Sequence, residues 1–379
     1  MKNWEDEIIL PKKAPWIEYA YWLDTKTSPT ECSEEELYNT LKNFDNIMYV
    51  ATPEHDTFII PGSDFITLEP ILIKRRTNIK ANLKFTIFWT ILFGFFVLSS
   101  LFSEESFHSS NTIYLYFIIF GIIPLLSSIY ELSILKKINK VNCIKESAEI
   151  KFEFWVQQKT IISIYFFSGI IILISIFQFI VGLNNSIESM GLVKEITKSG
   201  EYWRLLTCIL VHGGFLHIMF NASAMYSIGK MVIRISGVSY FLIVFLASGI
   251  IGSLFSLILL DETSVGSSGG IMGLIGFVLI IALKFKNDIP RNIIKSMLTT
   301  IALVGMVGVF AFDIIDNAAH FGGLLGGVVI GLLTKKKQKN IPYKPNRLIK
   351  VLGFVSGIIL ILGIILIIIK FPHKLILGI

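Results

Sequence analysis

Five polar side chains stand in segments that are otherwise apolar: His212, His217, Asn221, Ser268 and His320. A hydroxyl, imidazoles and a carboxamide are groups that can attack a carbonyl, move its protons and hold its charge. Within apolar surroundings such groups are costly and mark function. His217 and Asn221 are four residues apart, so they share one face of a helix. His212 precedes His217 by five, about 140° around an ideal helix. Gly213 and Gly214 follow it, so His212 is expected at the turn into that helix, in a structural role, bonding loop backbone. Ser268 sits in Gly266-Ser267-Ser268-Gly269-Gly270-Ile271-Met272-Gly273. Gly266 permits a tight turn, and the serine then opens a helix whose free N–H groups favour an oxyanion. Gly269, Gly273 and Gly276 form a small-residue face on this helix, and Gly323 and Gly327 form another on the helix carrying His320. Two such faces let backbones approach closely, which would bring His320 within about 3 Å of Ser268 Oγ.

A division of labour follows from those types. His320 takes the Ser268 proton and returns it to a leaving amine. The Ser268 N–H, His217 and Asn221 stabilise a tetrahedral oxyanion. Asp313 and Asp316 stand near the head of the His320 helix, but Asp316 is about a turn away along the axis, and a Ser–His dyad needs no carboxylate. Neither a cofactor nor a metal is expected: His212 and His217 face different directions, and there is no H-E-x-x-H run. Gly266-Ser267-Ser268-Gly269-Gly270 also fits the nucleophile elbow of soluble hydrolases, but that motif requires a strand before the serine. Taken singly, each feature is ordinary helix packing; together they are not.

The elements that would position these residues are membrane spans. The chain has 379 residues, 53% hydrophobic and 16% charged, too little charge to cover a water-soluble surface. Apolar runs of about 20 residues recur, the length that crosses a bilayer. They are taken as helices over about 84–103, 112–132, 160–182, 206–228, 237–260, 268–285, 291–312, 317–334 and 347–369. Loop charge tests the assignment. With the N-terminus in the cytoplasm, Lys74 to Lys80, Lys136 to Lys151, Lys230 and Arg234, Lys284 to Lys295, and Lys335 to Lys350 all fall inside. The outside loops 104–111, 261–267 and 313–316 contain no Lys or Arg, and the longer loop 183–205 contains only Lys194, Lys198 and Arg204. This asymmetry also explains the net charge of +6 without a nucleic-acid partner. The helices carrying His217, Ser268 and His320 all then run from outside to inside, with the polar residues at one depth in the outer half. No signal peptide is visible. Residues 1–80 read as a small soluble cytoplasmic α+β domain, with a Ser33/Glu36 capping box before helix 34–44 and short strands over 47–52, 57–60 and 65–72. Cys32, Cys143 and Cys208 show no paired spacing.

The pattern resembles the rhomboid family of intramembrane serine proteases. The matching stretches are Glu201-Tyr202-Trp203-Arg204, His212-x4-His217-x3-Asn221, Gly266-Ser267-Ser268-Gly269 and Ala319-His320-x2-Gly323-x3-Gly327. The resemblance covers roughly residues 160–334 and implies an all-α six-helix core. The pair 84–132 before it and the helix 347–369 after it are then additions. It also implies Ser268 as nucleophile, His320 as base, and His217, Asn221 and the Ser268 N–H as oxyanion hole. Trp203 and Arg204 would stabilise the core from a partly embedded outer loop. Expected partners are the bilayer and single-span membrane proteins, cut near the outer end of the substrate helix beside a small residue. One departure is Met272, where the family usually has an aromatic residue supporting the histidine; a thioether supports it more loosely.

The alternative is a catalytically weak rhomboid-like binder of membrane helices, which would have no need of both Ser268 and His320. Composition rich in Ile, Lys and Asn points to a bacterial plasma membrane. Oligomeric state is not legible.

Overall fold

The computed structural model describes residues 8, 10–23, 28–43, 47–100, 117–135, 143–157, 161–310, 315–334, 341–342 and 344–370. The expected outside loop 104–111, the basic runs at 136–140 and 335–340, and Asp313 lie outside the described residues. The chain divides into two compact units: residues 2–158 with 309–311, and residues 159–308 with 312–379.

The first unit begins with a three-stranded antiparallel sheet in the order β2-β1-β3, formed by Ala20–Leu23 (β1), Thr30–Glu31 (β2) and Ile47–Ala51 (β3). The helix Glu34–Asn43 lies between β2 and β3 in sequence and starts at a reciprocal cap. Glu36 N donates to Ser33 Oγ at 3.2 Å, and Ser33 N donates to Glu36 Oε2 at 2.8 Å. The helix buries Leu37 and Leu41 against Val50 and Ile59, while Ile17, Ala20, Tyr49, Ala51 and Phe58 make a second cluster. Residues 57–60 contribute only isolated bridges, Thr57 to Lys12 and Ile59 to Val50.

The strand expected over 65–72 is instead the start of a 36-residue helix, Phe65–Ser100. Asp64 overrides the β-branched run, because its carboxylate accepts the Thr67 N–H at 2.8 Å and caps the first turn. A π-helical turn, Phe117–Ile122, leads into helix Ile123–Leu135. Helix Cys143–Gln157 follows, in a stretch read from sequence as loop.

The second unit carries the polar residues. Four helices in the described chain are long and apolar enough to cross a membrane: Ile162–Val181, Val238–Leu259, Arg291–Val309 and Arg347–Lys370. Ser268–Lys284 and Asn317–Leu333 are apolar but shorter, at 17 residues each. Large side chains such as Leu173, Ile180, Phe354 and Ile361 stay exposed along the long helices, as lipid-facing side chains do. The run expected as one helix over 206–228 is two. Arg204–Thr207 is a single short turn, and helix Phe215–Ser236 begins beyond Gly213-Gly214 and continues to Gly237, which sits at φ +87°. His212 therefore stands before the helix. The last helix, Arg347–Lys370, belongs to the same compact unit. Its Gly353 approaches Ser239 and its Gly363 approaches Leu206 and Leu210.

Candidate active site

Ser268 is the first residue of its helix, immediately after Ser267 at the cap. Its backbone N–H is thus one of the donors that a helix start leaves without an intrahelical acceptor. The turn before it depends on Gly266, whose φ is +123° and whose N–H donates to Cys208 O at 2.8 Å. A side chain at 266 would also strike His217, since a Cβ there would lie 2.7 Å from both Cε1 and Nε2 of the ring. His217 therefore lies against the backbone two residues before Ser268. Its other nitrogen, Nδ1, accepts the Gly213 N–H at 3.3 Å, which leaves the Nε2 edge turned to the serine loop.

His320 reaches the same place through glycine. A Cβ on Gly323 would overlap the Gly269 carbonyl, and one on Gly327 would overlap the Gly273 carbonyl. Backbone thus lies on backbone along the seam between the Ser268 and His320 helices. Gly269 itself faces Ala319 O at 3.3 Å from a notional Cβ. Ser268 and His320 are each the immediate neighbour of a residue in that contact. His320 is also within electrostatic range of His217 and Asp316. No hydrogen bond joins Ser268 Oγ to His320 among the described residues; serine–histidine contacts are often loose without substrate. Among the described residues, His320 Nδ1 is buried and has no hydrogen-bond partner. Met272 is buried on the serine helix.

The remaining sequence candidates fall in two places. His212 is 1% exposed and bridges Ser175 and Ser267, through Nδ1 at 3.4 Å and Nε2 at 3.3 Å. Its ring thus bonds side chains rather than loop backbone, and Gln178 instead holds its backbone at both N and O. The His212 and His217 rings meet edge to face, 5.3 Å apart. Asn221 is buried, and its Nδ2 donates to His217 O at 2.9 Å, within its own helix. Trp203 and Arg204 lie between helices Ile162–Val181 and Phe215–Ser236, away from Ser268. The Arg204 guanidinium bonds Glu201 Oε2 at 2.7 Å and the Glu188 and Gly191 carbonyls at 2.9 and 2.8 Å, with Trp203 stacked 4.8 Å away.

A cavity of about 20 Å³, room for one water, adjoins Ser268 and is lined by Cys208, Ser253, Ser264, Gly266 and Asp316 among others. Of these only Gly266 was singled out as site-forming from sequence. Gln178, a lone amide in an apolar helix, was legible in principle; Ser253 and Ser264 carried no signal.

The Rhomboid domain family matches residues 199–337, which include His212, His217, Asn221, Ser268 and His320. The rhomboid protease GluP of Bacillus subtilis is 39% identical over 133 residues, 35% of this chain and 26% of that protein. The putative rhomboid protease YdcA of the same organism is 35% identical over 143 residues, 37% of this chain and 71% of that protein. The chain belongs to the rhomboid family. A plant relative, RHOMBOID-like protein 5 of Arabidopsis thaliana, is 34% identical over 147 residues, covering 38% of this chain and 47% of that protein. The chain thus spans about a quarter of GluP and about half of this plant rhomboid. With its apolar helices and this domain, it is a multi-pass membrane protein.

Proposed function

We propose that this rhomboid is an intramembrane serine endopeptidase that cleaves single-span membrane proteins near the outer face of a bacterial plasma membrane, with its own N-terminus in the cytoplasm. Ser268 attacks the scissile carbonyl. His320 accepts the hydroxyl proton and returns it to the departing amine. The Ser268 N–H at the helix start, the His217 ring edge and Asn221 hold the oxyanion, in a site shielded from bulk water. Deacylation by water regenerates the serine. A peptide bond within a helix is shielded by its own hydrogen bonds, so the substrate must unwind locally to reach Ser268.

One observation carries this reading: the glycine seam, with Gly323 on the Gly269 carbonyl and Gly327 on that of Gly273. Gly269, in the first turn of the serine helix, also faces Ala319 O, in the first turn of the other, and those turns hold the hydroxyl and the imidazole. The test is labelling of solubilised protein by a fluorophosphonate, alongside membrane proteomics for released ectodomains. Labelling and shedding are expected for the wild type and absent for Ser268→Ala. Equal labelling of both proteins would reject the protease and leave a rhomboid-like binder of membrane helices.

A further inference from the structure

The outer loop holds a lysine with no part in the dyad. Lys194 opens the short helix Lys194–Lys198 and is 3% exposed. Its ammonium donates to Ser256 Oγ at 2.5 Å and to Ser264 Oγ at 2.8 Å. The two hydroxyls are themselves 2.8 Å apart, and Ser256 donates to Asp316 Oδ2 at 2.5 Å. Asp316 caps the helix of His320: Oδ1 accepts the Ala319 N–H at 2.7 Å, and its carbonyl accepts the His320 N–H at 3.1 Å. A continuous line of hydrogen bonds therefore runs from the outer loop, across helix Val238–Leu259, to the first turn of the helix that presents the imidazole. The same loop is tied to the serine side by paired backbone bonds between Leu192 and Ser264, at 2.9 and 3.3 Å.

A loop brace would not need charge. Burying an ammonium is costly unless a counter-charge offsets it, and here the facing carboxylates are Asp316 and, in the loop that carries Ser264, Glu262, with Lys198 the nearby like charge. Burial pulls Lys194 below the usual lysine range, and Asp316 opposes that pull. Both Asp316 oxygens are committed, one to the helix start and one to the serine relay, so the carboxylate cannot swing into the small cavity it shares with Ser268.

We propose that Lys194 is a positioning residue for the reaction at Ser268: with Ser256, Ser264 and Asp316 it fixes the first turn of the His320 helix, and so the imidazole, against the serine. This rests on the dyad reading above. The test uses the full-length protein in vesicles, the fluorophosphonate, and a fluorescent single-span peptide with a small residue at the outer end of its helix. The variants are Lys194→Met, Asp316→Asn (which keeps a capping oxygen) and the double variant. Each single change is expected to slow Ser268 labelling and lower kcat by about tenfold or more, with KM held within about twofold, because docking is untouched while the base is displaced. The double variant, free of an uncompensated buried charge, is expected to label faster than the slower single variant. If Lys194→Met alone does not fold, Asp316→Asn against the double variant carries the same comparison. Labelling of the folded single variants at the wild-type rate, or a double variant as slow as the product of the two, overturns the inference. A wild-type protein inert to both reagents overturns the protease reading and this inference with it.

Discussion

At the scale of single residues, the proposed site divides between groups assigned the chemistry and groups that hold them. Ser268→Ala and His320→Ala are each expected to lower peptide cleavage by at least about a thousandfold, and the double variant no further, because two members of one machine do not contribute additively. Steady-state cleavage in vesicles checks this. His217→Ala removes a ring edge lying on the serine loop, and a loss of about a hundredfold or more in kcat at near-constant KM is expected for an oxyanion donor. A change in KM alone would instead make His217 a docking residue. The dyad candidates were legible because a serine and three histidines are conspicuous against aliphatic neighbours. The relay of Lys194, Ser256, Ser264 and Asp316 was not, since hydroxyls are ordinary in membrane helices and the partners are up to 122 residues apart (194 to 316). A hint did exist. Lys194 and Arg204 are two of the few basic residues on the side expected to lack them, and both are buried with oxygen partners.

At the scale of elements, position depends on what is missing from side chains rather than what they contain. Gly323→Ala or Gly327→Ala would drive a methyl into a facing carbonyl. Each is expected to destabilise the protein by roughly 1–3 kcal/mol and to suppress fluorophosphonate labelling by spreading the seam. Gly305→Ala is the control, because nothing stands within 4 Å of its notional Cβ, and its melting temperature and labelling should match the wild type. The glycine spacing was readable, but which glycine met which carbonyl was not, since helix rotation is set by tertiary packing. Of the elements that were misread, two have a plain local reason. The Phe65–Ser100 helix was taken for a strand at its start because β-branched residues outweighed the Asp64 cap. The helix of His217 was started too early because the apolar residues 208–211 are buried loop, not span.

At the scale of the whole molecule, the charge asymmetry of the loops predicts an orientation that can be measured. In a protein with Cys32, Cys143 and Cys208 replaced, a cysteine at the exposed Glu262 position is expected to react with an impermeant maleimide added outside intact cells. One at the exposed Lys286 position is expected to react only after lysis. Reaction of both from outside would reverse the assignment of sides and move the proposed cleavage to the wrong leaflet.

The two helices that meet at the glycine seam are also short for membrane helices, 17 residues each. At 1.5 Å per residue they reach about 25 Å, against about 30 Å of hydrocarbon. The Ser268 helix is buried among its neighbours, but the His320 helix exposes Phe321, Leu325, Val329 and Leu332, and lipid against that side is expected to be pinched, at a modest free-energy cost for each ångström of mismatch. An ordinary span diffusing into that annulus is too long for it, and the surplus is its final turn, pushed out towards headgroups and water. Bilayer thickness thereby becomes a rate variable: lengthening the acyl chains should change turnover even with lipid charge and protein fold held constant.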